Sequence, residues 1–295
     1  MKPPAFAYYR PETVQEALQL LQKVNDAKIL AGGQSLIPML NMRLARPAAV
    51  IDINRLRELT EIQEYPDHLL VGALVRHYQL MESPLVRRFA PVVAEAERHI
   101  GHAAIRTRGT IGGSLSHADP AAELPLLATL GDWELHVASA TGARVIPARE
   151  FFLGYLMTAL GADELVTHIR VPKATGVSRF SEFALRAGDF ALVSAAVSLN
   201  LDAHQKIDHL RLALGGVGET PWREPAIEAH YRGSEASPNL WTVIATEVAD
   251  LIDPPEDLHA SAAYRRQLAR ALLEKTLAET AADARQTLTK GGPAS

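Results

Sequence analysis

The chain has 295 residues, 47% of them hydrophobic and 22% charged, a balance that fits a globular protein of about two domains. A formal net charge of −4 without a long Lys or Arg run gives no nucleic-acid footprint, and no apolar stretch approaches the roughly 20 residues that span a bilayer. Cysteine is absent, which excludes a disulfide, a thiolate-held iron–sulfur cluster and a cysteine nucleophile within this chain.

Met1-Lys2-Pro3-Pro4-Ala5 lacks the apolar core of a secretory signal, so the cytoplasm is the expected location. Thr13-Val14-Gln15-Glu16 has the capping-box pattern, in which Thr13 and Glu16 satisfy free amides at a helix start. Val14, Ala17, Leu18, Leu21 and Val24 continue it at helical spacing. Ile29-Leu30-Ala31 reads as a strand that stops at Gly32-Gly33-Gln34-Ser35, where Ser35 and Pro38 start another helix. Ala49 to Ile53 reads as the next strand.

Leu69 to Gly72 follows a Tyr65-Pro66-Asp67 turn as a strand, and Ser83-Pro84 signals a helix start. Trp133 to Ala138 and Ala143 to Ile146, joined through Thr141-Gly142, predict a hairpin. Past about residue 175, segments 178–186, 190–201 and 206–214 read as three successive strands. Ala226–Tyr231, Leu240–Ala249 and Ala260–Leu277 then read as helices, the pattern of an α+β domain with its sheet covered on one face.

Two glycine turns stand out. Ala31-Gly32-Gly33-Gln34-Ser35-Leu36 and Thr110-Ile111-Gly112-Gly113-Ser114 each place a glycine pair beside small hydroxyl residues. Consecutive amides in such turns form an anion-binding concavity, and two of them suggest a pyrophosphate. Neither fits the G-x-G-x-x-G or Walker pattern. Spacing alone therefore leaves two readings open, a phosphate-bearing cofactor or a pair of tight turns.

The same residues resemble a known family. Ala31 to Leu36, followed by Arg43-Leu44-Ala45-Arg46-Pro47 and Ile51-Asp52-Ile53, is similar to the first FAD motif of the medium subunit of carbon monoxide dehydrogenase and the related molybdenum hydroxylases, xanthine dehydrogenase among them. Arg108 to Glu123 resembles the second motif. Arg186-Ala187-Gly188-Asp189-Phe190-Ala191, Leu214-Gly215-Gly216-Val217 and Ala263-Tyr264-Arg265-Arg266 resemble signatures of the family's C-terminal domain.

The resemblance implies an α+β chain with a vanillyl-alcohol-oxidase-like FAD fold. Two α/β subdomains, 1–57 and 58–174, would hold the dinucleotide. A C-terminal α+β domain over 175–285, with an antiparallel three-stranded sheet, and a flexible tail over 286–295 would follow. The two turns would bind the FAD pyrophosphate, with Gly101 counted in the same cofactor set, Glu123 on ribityl or ribose hydroxyls and Asp119 shaping that loop. Leu165 or Val166 would pack on a ring of the cofactor, and Arg186 would lie near the isoalloxazine. Many relatives have Asn where Ser114 stands, and some have His or Asn where Gln34 stands. The first motif has no His for covalent attachment, so the implied FAD is non-covalent.

The implied enzyme has three parts. A large subunit with a molybdenum–pterin cofactor hydroxylates the substrate, and a small subunit with 2Fe–2S clusters takes up the electrons. The FAD of this chain passes them to NAD+, oxygen or a quinone, in a dimer of heterotrimers. No substrate-hydroxylating residue and no metal ligand is expected in this chain. A stand-alone flavin oxidase of the same fold and a binding module that has lost its flavin are the competing readings. A serine hydrolase fits poorly, because Ser116 stands where G-x-S-x-G needs its last glycine. His99, His102 and His117 with Asp119 and Glu123 do not have a usual zinc spacing. Gly215-Gly216-Val217-Gly218 reads as a turn at a strand end, Trp222 and Trp241 as packing residues, and the 260–277 stripe as a docking face within its own domain.

Overall fold

The structure is a computed structural model and describes residues 2–289. Its first unit is a small parallel sheet: β1 (Ala7–Tyr9), α1 (Val14–Lys23), β2 (Ala27–Leu30), α2 (Leu36–Asn41) and β3 (Ala49–Asp52), with strand order β1-β3-β2. Thr13 Oγ1 accepts from the Glu16 N–H at 3.2 Å. The return bond runs from the Glu12 N–H to Glu16 Oε2 at 2.9 Å, one residue earlier than the capping-box pattern places it. Ala17, Leu18 and Leu21 on one face of α1 are buried with Ile51 and Ile53. Strand β1 is exposed and has no apolar pattern to announce it; pairing with Ala49–Ile51 makes it a strand. The chain leaves the carboxyl end of β2 through the first glycine turn, where open α/β sheets place their ligands.

The second unit runs β4 (Ile62–Glu64), β5 (His68–Gly72), α3 (His77–Glu82), α4 (Pro84–Phe89), α5 (Pro91–Ala96), α6 (Ala103–Arg106), α7 (Ile111–His117), α8 (Glu123–Leu130), β6 (Glu134–Ser139), β7 (Gly142–Pro147), α9 (Ala148–Phe151), β8 (Phe152–Gly154), β9 (Met157–Thr158) and β10 (Leu165–Pro172). Its main sheet is antiparallel, ordered β4-β5-β10-β6-β7. Ser83 caps α4, its Oγ accepting from the Val86 N–H at 3.3 Å. Every residue of helix α8 is buried, Glu123 and Thr129 together with its apolar majority.

The third unit is a meander of β11 (Val177–Phe183), β12 (Val193–Leu201) and β13 (Ile207–Gly215), followed by α10 (Pro225–Tyr231), α11 (Pro238–Leu251) and α12 (Ala262–Thr289). Here the expectation of a sheet covered on one face is corrected. Val193, Ala195, Val197 and Leu199 point into a core shared with α11 and α12. The alternate residue Ala196, with Phe180 and Ala213, belongs to the core of the second unit. Period-2 alternation sends the two sets to opposite faces, so helices cover one and α5 and α8 the other. Small residues on that second face let α8 close in: a Cβ on Gly215 would lie 3.7 Å from Leu126 Cδ2.

Two boundaries also move. Strand β11 ends at Phe183, and residues 184–192 form a loop. Helix α12 runs to Thr289, so 286–289 are helical rather than tail; the remainder of the expected tail, 290–295, lies outside the described residues. The last turns of α12 stay helical because Ala281 and Ala284 continue the buried stripe of Ala269, Leu273 and Leu277. Trp241 is buried in that core, and Trp222 packs against it. Among the described residues no helix is long and apolar enough to cross a membrane.

Candidate cofactor site

The two glycine turns are far apart in sequence and touch in space. A Cβ on Gly32 would lie 2.4 Å from the Arg108 carbonyl oxygen and 2.7 Å from Gly109 Cα, so only glycine permits this approach. Gly33 has φ +74°, which turns the chain into α2. The backbone N–H groups of Gly32, Gly33, Gln34, Ser35 and Leu36 have no acceptor among the described residues. Gln34 folds back, its Nε2 donating to the Gly32 carbonyl at 3.1 Å. Ser35 sits at the N-cap of α2 without a side-chain cap bond, leaving its hydroxyl unengaged. Five consecutive unsatisfied donors form a concavity for an anion.

The second turn is built differently from its sequence reading. Ile111 N–H donates to the Val75 carbonyl at 3.0 Å, Gly112 N–H to Ala73 at 3.0 Å, and Ser114 N–H to Thr110 at 2.9 Å. Gly113 N–H donates to Thr110 Oγ1 at 3.1 Å. These amides are spent on anchoring α7 to the end of β5. The turn has the Thr110 and Ser114 hydroxyls to offer in place of a row of free amides, which corrects the picture of two equivalent cradles.

A polar chain ties the turns together. Asp52, at the end of β3, accepts from Tyr8 Oη at 2.6 Å and from Asn54 Nδ2 at 2.7 Å. Asn54 Nδ2 also donates to the Ala31 carbonyl at 2.7 Å. Arg76 Nη2 donates to Asn54 Oδ1 at 2.7 Å, and its Nη1 donates to the Arg108 carbonyl. Burial first, then the neighbouring Arg108 charge, push the Arg76 pKa down. Neither guanidinium has an ion-pair partner among the described residues. Two guanidinium charges therefore stand near the meeting of the turns, with the Asp52 carboxylate acting on Arg76 in the opposite sense. Asn54 and Arg76 escaped the sequence reading. Asn54 follows Ile51-Asp52-Ile53 directly and is signalled only by that position, while Arg76 has no local signature.

The remaining site residues fall into three groups. Glu123 opens α8 and is 5% exposed. Burial first, with the charges of Glu182, Glu97 and Asp119 adding, raises its pKa to about 8, and no other residue donates to its carboxyl among the described residues. A buried carboxyl that keeps its proton near neutrality both donates and accepts, which suits hydroxyl groups. Asp119 Oδ1 accepts from the Ala121 N–H at 2.9 Å, fixing the loop ahead of it. Gly101, at φ +48°, is held by Arg106, whose Nη1 donates to its carbonyl at 2.8 Å and to that of Ile100 at 3.0 Å.

Arg186 is exposed on the 184–192 loop, which rests on the Gly101 turn: a Cβ on Gly188 would lie 2.8 Å from His102 Cε1 and 3.1 Å from the Gly101 carbonyl carbon. Leu165 lies in the cluster against which Ala31 of the first turn packs, and Val166 lies in another. Both are buried on β10, Leu165 in the core of the first unit and Val166 in that of the second, because neighbouring strand residues face opposite ways. Behind the second turn, His77 Nδ1 lies 3.1 Å from Oε2 of the fully buried Glu97, whose pKa burial pushes up. No three His, Asp or Glu side chains gather as a metal site among the described residues. His99 pairs with Glu182 across units at 3.1 Å. Gly216 donates its N–H to the Pro120 carbonyl at 2.9 Å, so that glycine pair docks the third unit onto the loop before Glu123.

This arrangement has known counterparts. Residues 4–174 match the family described as FAD binding domain in molybdopterin dehydrogenase, and 178–280 match the CO dehydrogenase flavoprotein C-terminal domain. The nicotine 6-hydroxylase medium subunit of Paenarthrobacter nicotinovorans is 39% identical, covering 96% of this chain and 99% of that one. The carbon monoxide dehydrogenase medium chain of Hydrogenophaga pseudoflava is 34% identical over 94% of this chain and 97% of its own. The crystal structure of quinoline 2-oxidoreductase from Pseudomonas putida 86 contains a chain similar to this one with a TM-score of 0.93 and 35% identity, over 96% of this chain and 99% of that one. Two adjoining glycine turns, a third unit docked on the loop before Glu123, and matches along nearly the whole length place this chain in the family of FAD-binding medium subunits of molybdenum hydroxylases.

Proposed function

We propose that this chain holds one non-covalent FAD and is the electron-transfer subunit of a heteromeric molybdenum hydroxylase. The observation that carries the reading is the row of five unsatisfied amides, Gly32 to Leu36, set against the unpaired cations of Arg76 and Arg108. A diphosphate supplies the acceptors and the negative charge that this turn lacks. The Thr110 and Ser114 hydroxyls stand beside it, and Glu123 supplies a carboxyl for sugar hydroxyls. Gly101 and Arg186 lie on loops that touch each other. Leu165 packs in the core behind Ala31 of the first turn.

FAD, when bound, takes up electrons and passes them on to an acceptor, and the chain's own residues bind, orient and tune it. The Gly32–Leu36 amides hold the anionic part. Glu123, buried with its pKa raised to about 8, would offer a hydrogen bond to a sugar hydroxyl without adding net charge. Arg106 fixes the Gly101 turn, and with it the seat of the 184–192 loop.

With no cysteine to hold a thiolate-ligated cluster, this chain leaves the 2Fe–2S clusters to a partner; on this reading they sit on a small subunit and the molybdenum–pterin cofactor on a large one. We place this assembly in the cytoplasm as a dimer of heterotrimers, with NAD+, oxygen or a quinone as the final acceptor. Relatives matched end to end are named as medium subunits, which favours a subunit over a stand-alone oxidase. The test is to purify the tagged chain from its native host and assay molybdenum, iron and flavin together. Co-purification of all three with two further chains is expected. A flavoprotein that purifies alone and oxidises a substrate unaided would overturn the subunit reading.

A further inference from the structure

We propose that Asn54 and Arg76 form a strap that sets the spacing of the two glycine turns and presents a positive charge to the cofactor's diphosphate. The inference rests on the FAD reading above and adds to it two residues outside both glycine motifs.

The geometry leads there directly. Asn54 touches both the first turn, through the Ala31 carbonyl at 2.7 Å, and Arg76, through its own Oδ1 at 2.7 Å. Arg76 completes the connection with a bond to the Arg108 carbonyl, the same oxygen that Gly32 approaches. The strap thus begins on the turn with free amides and ends on the strand of chain leading into α7. Its root is Asp52, whose Oδ1 accepts from both the Asn54 N–H at 3.0 Å and Asn54 Nδ2 at 2.7 Å, fixing the amide's orientation.

The strap serves no core. Asn54 is exposed and Arg76 half-buried. Arg76 is a half-buried cation without a carboxylate partner among the described residues and with a second guanidinium nearby, an arrangement that favours an anion close at hand. A planar guanidinium can make both strap bonds and keep donors to spare; an ammonium on a flexible stem cannot hold both directions at once. The pair therefore acts on cofactor affinity and not on folding.

The test uses the full chain stripped of flavin, with FAD as the probe. FAD affinity is measured by quenching of flavin fluorescence, and the melting temperature of the flavin-free protein is measured in parallel, for wild type, Asn54→Ala, Arg76→Gln, Arg76→Lys and the Asn54→Ala/Arg76→Gln pair. Arg76→Gln should raise the FAD Kd roughly tenfold or more, the scale of a lost charge-assisted hydrogen bond, with the flavin-free melting temperature unchanged. Arg76→Lys should fall between wild type and Arg76→Gln, and the double variant should be weaker than Arg76→Gln by less than the Asn54→Ala effect alone, since the two act as one unit. Wild-type FAD affinity in both Asn54→Ala and Arg76→Gln would overturn the strap, as would an affinity loss that only tracks a lowered melting temperature. Should Arg76→Gln fail to fold, wild-type affinity in the exposed Asn54→Ala variant would by itself overturn the strap, and weakened affinity there would support it. A wild-type chain that takes up no FAD would instead overturn the underlying FAD reading.

Discussion

At the scale of single residues, Gly32 and Glu123 carry the sharpest consequences. A methyl group on Gly32 would sit 2.4 Å from a backbone oxygen that no side-chain rotation can move. Gly32→Ala should therefore cost about 1–3 kcal/mol, the usual scale for overpacking, and abolish FAD binding by forcing the turns apart; thermal melting and flavin titration check both. Glu123 makes a claim about pH. Its folded pKa of about 8 stands above the ordinary 4.5, so its contribution to stability is full below about 4.5 and is lost as pH rises through 8. In the flavin-free protein, Glu123→Gln should flatten the fall in melting temperature between pH 5 and about 8 while weakening FAD binding. An unchanged pH slope would contradict the assignment. Gly32 and Gly33 were legible because glycine pairs beside hydroxyl residues are a local pattern. Arg76 was illegible because its role comes from contacts with Asn54 and the Arg108 carbonyl, both distant in sequence.

At the scale of elements, most helices and strands were legible from periodicity, and the errors lie where small residues do the packing. The buried stripe of α12 ends in Ala281 and Ala284, which carry so little hydrophobic signal that the helix reads as finished at Leu277. Leu273, fully buried on the same stripe, should lose about 2–5 kcal/mol as Leu273→Ala, read as a lower denaturation midpoint with the slope unchanged. The second face of the C-terminal sheet escaped the sequence reading for a similar reason: Ser194, Ala196 and Ser198 look like a neutral surface, yet they leave room for α5 and α8. Contact between those units also runs through His99 on Glu182, a hydrogen bond that raises the His99 pKa against the opposing effect of burial. A raised folded pKa means that this stabilisation is complete below about 6.5 and fades as pH climbs through the higher folded value. His99→Gln should remove that part of the alkaline loss of stability, seen as a smaller difference in melting temperature between pH 6 and 8.

At the scale of the whole molecule, the proposed site draws on all three units. The first unit would supply the free amides and the second Thr110, Ser114 and Glu123, while the third lays the Arg186 loop on the Gly101 turn. Motif order along the chain pointed to two turns that work together, and Gly32 does lie against Arg108 and Gly109; it did not foretell that the second turn spends its amides internally, because that depends on the carbonyls of Ala73 and Val75. Arg265 shows the same dependence on distant contacts, with Nη2 on Asp257 at 2.7 Å and Nη1 on the Leu192 carbonyl, clamping α12 to the start of β12. The most direct test of one non-covalent FAD per chain is to load the full chain with FAD, remove excess, precipitate the protein with acid and identify the flavin in the supernatant. One FAD per chain, released intact and free of the precipitate, is the predicted result. A chain that retains no flavin, or one whose flavin stays with the precipitated protein, would contradict it.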